Sequence, residues 1–250
     1  MRAINELLHS RTRVRSRYAL MPMEGFPTSR IPGWENAEIR VLASPALGAR
    51  FAQYKIDLQA GGGAKHEPDN AVESFIYVMS GTPSLKLDQS NAQLGAGGFA
   101  FIPRASGYSL DAKEPATILL LRKTFEPAHG IATPKPIIGN QSQIRPEAYM
   151  GNEHAKLQLL IPDDLQYDMA MNIFSFDPGH CLPYVETHVM EHGLYFLQGK
   201  GVYFLDGEWM ETQKDDFIWM GPYCPQSYYA TGPTPTRYIY YKNVNREVAL

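Results

Sequence analysis

The sequence predicts an all-β chain folded as two β-barrels in tandem, and three observations carry that prediction. Short runs rich in β-branched and aromatic residues, bounded by turn residues, recur through 250 residues holding 21 Gly, 19 Pro, 15 Tyr and 11 Phe; this is the pattern of sandwiches and barrels. Helical signals are weak and confined to short stretches near the N-terminus. An internal repeat completes the case: a shift of 118 residues lays "YVMSG" (77–81) over "YFLQG" (195–199), Gly61 over Gly179, and "GGFAFIPRASGYS" over "DDFIWMGPYCPQS" without a gap. With one residue inserted, "TILLLRKT" falls on "TRYIYYKN".

In chain order, "MRAINELLHSRTRVRSRYAL" lacks the order of a secretory signal. Its alternating Arg11, Arg13, Arg15 and Arg17 suit a transit peptide or a solvated extended arm, and Glu6 interrupts the former pattern. "FAQYKIDL", "SFIYVMSG" and "GFAFIP" follow as strands of a first unit. The stretch 125–152 is rich in Pro and Gly and reads as a linker. "MNIFSF", "GLYFLQG", "GVYFLDG", "DFIWMG" and "TRYIYYK" are the strands of a second unit. The predicted organisation is a unit at 1–124 that includes the arm, a linker at 125–152 and a unit at 153–250. A hydrophobic content of 44% suffices for a core in each of two units of roughly 100 to 120 residues.

Composition excludes several functions. A net charge of −3 with no Lys/Arg block gives no footprint for nucleic acid or an anionic membrane surface. The longest apolar runs, such as "TILLLR", fall far short of the roughly 20 residues that cross a bilayer. Cys181 and Cys224 form neither a CxxC pair nor a disulfide framework, so a reducing, cytoplasmic setting is expected. The partner expected is a small molecule; a homo-oligomer is possible, and the sequence leaves that state unread.

The stretch "YVETHVMEHGLYFLQG" (184–199) concentrates candidate ligands. On a strand Glu186 and His188 share a face while Thr187 points away, and His192 rejoins that side after a short turn. A divalent-ion site and a polar strand end both fit this spacing. Tyr238, Tyr240 and Lys242 share a face of the last strand. If that face is interior, burial and a nearby cation would lower the pKa of Lys242; otherwise Lys242 snorkels to solvent. His180 follows "DPG" in a turn, and His9, His129 and His154 lie in the arm or linkers. Trp209 and Trp219 read as core, and Glu191 reads as a partner orienting His192 or as a surface carboxylate.

The pattern E-x-H-x3-H-x6-G, followed by "DDFIWMGPYCPQ" (215–226), resembles the two motifs of the cupin superfamily. Glu186 stands where the first His of that family stands, His188 matches the second, His192 replaces the Glu, Gly199 matches, and Gln226 takes the place of the last His. Asp215 and Gly221 depart from the family's glycine and proline. Within the two-domain cupins this permuted set looks like the (S)-ureidoglycine aminohydrolases, most specifically through "VETHVMEHGLYFLQGKGVYFLDGEWM", "DFIWMGPYCPQSYYA" and "RYIYYKNVNR".

The resemblance implies two tandem cupin (double-stranded β-helix or jelly-roll) barrels. It implies a Mn²⁺ site made of Glu186, His188, His192 and Gln226, with Fe²⁺ and Zn²⁺ left open, and substrate contacts from Tyr203, Tyr238 and Lys242. Lys242, with Tyr238, would move the catalytic proton. The reaction implied is hydrolysis of (S)-ureidoglycine, an anionic ureido substrate, to (S)-ureidoglycolate and ammonia in purine and ureide catabolism. A metal-dependent cupin oxidase or dioxygenase and a non-enzymatic small-molecule-binding bicupin are the alternatives. In the first copy the same shift leads to Pro68, Asn70, Ser74 and Tyr108, so that half is expected to lack the metal; His66 and Glu73 nearby are the residues of a shifted site, if one exists.

Overall fold

The computed structural model describes residues 11–243, so His9 lies outside the described residues. In chain order the strands are β1 (Arg13–Val14), β2 (Tyr18–Met21), β3 (Trp34–Ala43), β4 (Phe51–His66), β5 (Val72–Ser80), β6 (Ser84–Leu87), β7 (Ser90–Gln93), β8 (Gly98–Ile102), β9 (Tyr108–Ala112) and β10 (Ala116–Thr124). They continue with β11 (Ile137–Asn140), β12 (Glu147–Tyr149), β13 (Asn152–Leu159), β14 (Ala170–Phe176), β15 (His192–Gln198), β16 (Lys200–Leu205), β17 (Glu208–Gln213), β18 (Phe217–Met220), β19 (Gln226–Tyr229) and β20 (Thr236–Lys242). The helical content of the described residues is three short 3₁₀ turns. The chain is all-β.

One sheet runs β11-β8-β5-β10-β4-β9-β6-β7, with β3 also on β4; a second runs β1-β2-β18-β15-β20-β14-β13-β12; a third is β17-β16-β19. The order β8-β5-β10-β4 thus recurs as β18-β15-β20-β14, and β9-β6-β7 recurs as β19-β16-β17. In the first half the 16-residue β4 passes through Gly61–Gly63 and continues along β9. Gly63 is obligatory there, because a Cβ would lie 2.0 Å from the Leu110 carbonyl oxygen. In the second half Pro178 and Pro183 remove amide donors, and the matching path is reduced to two isolated bridges, Cys181↔Tyr229 and Glu186↔Gln226. The segment 184–191 is therefore an irregular loop where the sequence suggested a strand.

The register corrects the repeat in one place. Leu120 pairs with Tyr54 and Tyr240 with Asn172, so β20 lies two residues beyond the 118 shift rather than one. A one-residue slip inverts the faces of a strand; the corrected register places Arg122, not Lys123, at the position of Lys242.

The predicted arm and linker both contribute strands. β2 pairs with β18, and β11 pairs with β8. Arg11 and Arg17 form ion pairs with Asp216 and Asp206, and Arg15 reaches Glu208 at 3.2 Å, so the arm is fastened to the C-terminal half. One core fills the first-half sheet and another the β14–β20 region. A third lies between them and draws on Phe51, Phe75 and Leu121 from one half and Tyr195, Trp219 and Tyr241 from the other.

Glu191 is buried in this third core, where it accepts from Trp219 Nε1 (2.8 Å) and from the Arg50 amide at both oxygens (3.1 Å each). It therefore ties the halves together and neither orients His192 nor faces solvent. Glu73, its counterpart under the shift, is also fully buried and lies 3.8 Å from Lys123. Trp219 is core as expected, whereas Trp209 is exposed.

Gly193 marks how closely the halves approach: a Cβ there would lie 2.3 Å from Gln53 Oε1 and 2.6 Å from Phe51 Cζ. Gly193→Ala is expected to destabilise the protein by about 1–3 kcal/mol through overpacking, read as a lowered urea midpoint. An unchanged midpoint would contradict this packing.

Candidate active site

A cavity of about 550 Å³ opens beside β14, β15 and β20, and Glu186, His188, His192, Tyr203, Gln226, Tyr238 and Lys242 all line it. Seven side chains separated by up to 56 positions in sequence thus share one wall. The fold brings them together by three routes. His192 is the first residue of β15 and pairs across with Lys242 and with Met220. Gln226 opens β19, and its backbone exchanges two hydrogen bonds of 2.8 Å with Glu186. His188 is fixed by the Tyr223 amide, which donates to its carbonyl at 2.8 Å.

Within the cavity three nitrogens face one point. His188 Nε2 and His192 Nε2 are 3.2 Å apart, and Gln226 Nε2 lies 3.3 Å and 3.1 Å from them. His192 Nδ1 is 3.0 Å from the Tyr241 carbonyl oxygen. A carbonyl only accepts, so the His192 proton sits on Nδ1 and the lone pair of Nε2 faces the cavity. Burial, reinforced by His188 and Lys242, pushes the His192 pKa down to about 3. Burial also lowers His188, against the opposing pull of Glu186. Both imidazoles are therefore neutral at physiological pH, the state that ligates metal ions.

The predicted quartet converges in part. Among the described residues no three His, Cys, Asp or Glu side chains form a group that could hold an ion, so the Gln226 amide is needed beside the two imidazoles. The Glu186 carboxylate is engaged by Tyr149, whose hydroxyl donates to Oε1 at 2.7 Å. The donor set still suits a divalent cation: two neutral imidazoles, an amide and one carboxylate, without thiolate. Gln226 Oε1 accepts from the Tyr203 hydroxyl at 2.9 Å; a half-turn of the amide exchanges oxygen and nitrogen between Tyr203 and the imidazoles.

Tyr203 and Tyr238 are both buried, and burial raises both pKa values well above the ordinary phenol. Each keeps its proton and serves as a donor. Lys242 is half-buried at the cavity wall, short of the buried amine the sequence suggested. His180, half-buried, stacks on the exposed His154 at 4.0 Å, and His154 contacts Asp177; neither lines the cavity.

Sequence reasoning missed Tyr149 and Asn172, both of which line the cavity. Asn172 donates through Nδ2 to the Tyr240 hydroxyl at 3.2 Å. Tyr149 lay in the predicted linker; its signal was the Met150-Gly151 pair, both at positive φ (51° and 78°), a tight hairpin turn between alternating runs.

Among the described residues the first half holds no equivalent. His66 pairs with Tyr108 as Glu186 pairs with Gln226, and its ring stacks on Tyr108 (4.7 Å) and tilts against Trp34 (5.7 Å). Those rings occupy the barrel interior. Glu73 faces the core between the halves, so it does not join His66.

The depressed His192 pKa has a thermodynamic consequence. The unfolded imidazole binds a proton near pH 6.5 and the folded one only near pH 3, so stability rises with pH across that window and is lost as pH falls through it. His192→Gln is expected to flatten this limb in urea titrations of ion-free protein between pH 4 and 7. An equally steep limb in the variant would contradict the assignment.

No family model matches the chain. It is 37% identical over 250 residues to the (S)-ureidoglycine aminohydrolase of Escherichia coli strain K12, covering 98% of this chain and 95% of that protein. It is 33% identical over 230 residues to the (S)-ureidoglycine aminohydrolase of Arabidopsis thaliana, covering 92% and 76%. The crystal structure of protein Ylba from E. coli superimposes with a TM-score of 0.87 at 34% identity over 100% of both chains. Oxalate decarboxylase of Bacillus subtilis shares the fold alone, with a TM-score of 0.73 at 12% identity over 99% of this chain and 85% of that one. With such identity over nearly the whole length of a curated relative, the chain belongs to the (S)-ureidoglycine aminohydrolase family.

Proposed function

We propose that the cavity hydrolyses (S)-ureidoglycine to (S)-ureidoglycolate and ammonia, the ureide-catabolic reaction, around a divalent ion, Mn²⁺ in the first instance. The observation that carries this reading is the meeting of His188, His192 and Gln226 at 3.1–3.3 Å in a cavity also lined by Glu186, Tyr203, Tyr238 and Lys242. The two sheet systems are read as two tandem cupin barrels, one built on 34–140 and the other on 147–242 with the arm strands at 13–21 added to it, the first acting as a wall and packing partner. One active site per chain follows.

In the reaction the α-carbon loses its amine and gains the oxygen of water; the C–N bond breaks, a C–O bond forms, and the amine leaves as ammonia. The ion would be held by Glu186, His188, His192 and Gln226, and when bound it supplies positive charge that anchors an anionic substrate in one handed pose. With Glu186 the sole charged ligand, the site keeps a net positive charge. Tyr203 fixes the Gln226 amide, and Tyr238, held protonated, is a hydrogen-bond donor to the substrate. Lys242 faces the cavity from the strand position opposite His192 and is assigned the proton transfer between the attacking water and the departing amine.

Cys181 is exposed and Cys224 buried, both as free thiols, and no helix among the described residues is long and apolar enough to cross a membrane.

Freshly generated ureidoglycine is expected to release ammonia in the presence of the enzyme, with chelation abolishing the activity and Mn²⁺ restoring it. Lys242→Ala is expected to lower kcat by about 100-fold or more, the scale of a lost general acid–base. Oxygen consumption requiring iron would contradict the reading, as would full activity in Lys242→Ala.

A further inference from the structure

We infer that Tyr149 is a positioning residue that confines Glu186 to ligation through one oxygen. The inference rests on the divalent-ion reading of the site and deepens it.

Three features aim the Tyr149 hydroxyl. It ends β12, the first strand of a hairpin whose turn, Met150-Gly151, has positive φ at both residues. The β12–β13 register breaks between Ala148 and Tyr149, and such a bulge redirects the side chain. The ring then packs edge-on against Phe174, with centroids 4.8 Å apart and planes at 78°, which leaves the hydroxyl pointing at Glu186 Oε1, 2.7 Å away. Burial, and next the bond to Glu186, raises the Tyr149 pKa, so the phenol remains a donor.

A carboxylate with two free oxygens can close on a hard cation through both. Here one lone pair of Oε1 accepts the Tyr149 hydroxyl proton, which lowers the donor strength of that oxygen and makes Oε2, with no hydrogen-bond partner among the described residues, the freer of the two. Oε2 is then the oxygen left to ligate an ion. Single-oxygen ligation leaves one more coordination position for substrate or water than a chelating carboxylate would. Glu186 also shares with His188 a loop that lacks strand support, since Pro183 and the irregular path of 184–191 leave Glu186 one isolated bridge. A second anchor on its side chain substitutes for the missing ladder.

The test is metal affinity, read without substrate. Wild-type protein, Tyr149→Phe, Glu186→Gln and the double variant are titrated with Mn²⁺, and free Mn²⁺ is followed by its electron paramagnetic resonance signal. Tyr149→Phe keeps the ring on Phe174, and a melting temperature close to that of wild type checks the fold. Its Kd for Mn²⁺ is expected to rise about 10- to 100-fold, the usual scale for losing a partner of a metal ligand, with a changed zero-field splitting of the bound ion. In the Glu186→Gln background the same change is expected to add little.

An unchanged Kd and spectrum in Tyr149→Phe would overturn the inference. So would an equal loss in the Glu186→Gln background, because Tyr149 would then act elsewhere, and so would wild-type protein that binds no Mn²⁺. Ammonia release by wild type, assayed in parallel, separates this from the functional reading. Activity with an unaffected Tyr149→Phe Kd removes the inference alone; coupling between Tyr149 and Glu186 without ammonia release removes the reaction alone.

Discussion

One hydrogen bond organises the site: His192 Nδ1 to the carbonyl oxygen of Tyr241, at 3.0 Å. It settles which imidazole nitrogen carries the proton, and so which one presents a lone pair to the cavity. The acceptor belongs to β20, whose alternation serves two purposes. Tyr238, Tyr240 and Lys242 face the cavity, while Ile239 and Tyr241 pack into the core between the halves. The strand that supplies the proposed proton-transfer group therefore also clamps the proposed ligand, and its outer face is locked by aromatic packing against Phe51 at 4.6 Å. Rigid support of this kind is what a binding constellation requires.

The two halves show how one topology yields one cavity and one filled interior. Where the second half has Glu186, His192, Gln226 and Lys242, the first has His66, Ser74, Tyr108 and Arg122, as the strand pairings of β4, β5, β9 and β10 align them. Continuous pairing of β4 with β9 lets His66 and Tyr108 stack and fill the space. In the second half the prolines at 178 and 183 break that ladder, and the loop they create opens the wall that holds Glu186 and His188. The loss of regular structure is what makes room for chemistry; functional sites commonly break the local rules that the rest of a fold obeys.

Much of this was legible in the sequence. Period-two runs and the 118-residue repeat predicted the strands, because strand patterning is local and the repeat tested it twice. Seven of the cavity-lining residues were legible through the resemblance of the motifs to a known family, where spacing alone left a polar strand end equally open. The loop at 184–191 was not, since alternation rules assume a strand and the prolines remove its donors. The face of Lys242 depended on register: one inserted residue and two residues give opposite orientations for the first-half counterpart, and only the pairing partners decide. Tyr149 was missed and Glu191 misjudged for a common reason. Their roles depend on residues 37 and 141 positions away, Glu186 and Arg50, and no local pattern encodes such contacts.

The same long-range logic explains why a segment that reads as linker contributes to the site. Its Pro and Gly content shapes a hairpin, and the hairpin delivers one hydroxyl to a carboxylate that the sheet supports by a single bridge. The central claim, that four side chains of the C-terminal half surround one cation, is tested most directly by anomalous diffraction from crystals grown with Mn²⁺. The account predicts one anomalous peak per chain, bounded by Glu186, His188, His192 and Gln226. A cavity without a peak at saturating Mn²⁺, or a peak beside His66 in the first half, would contradict it.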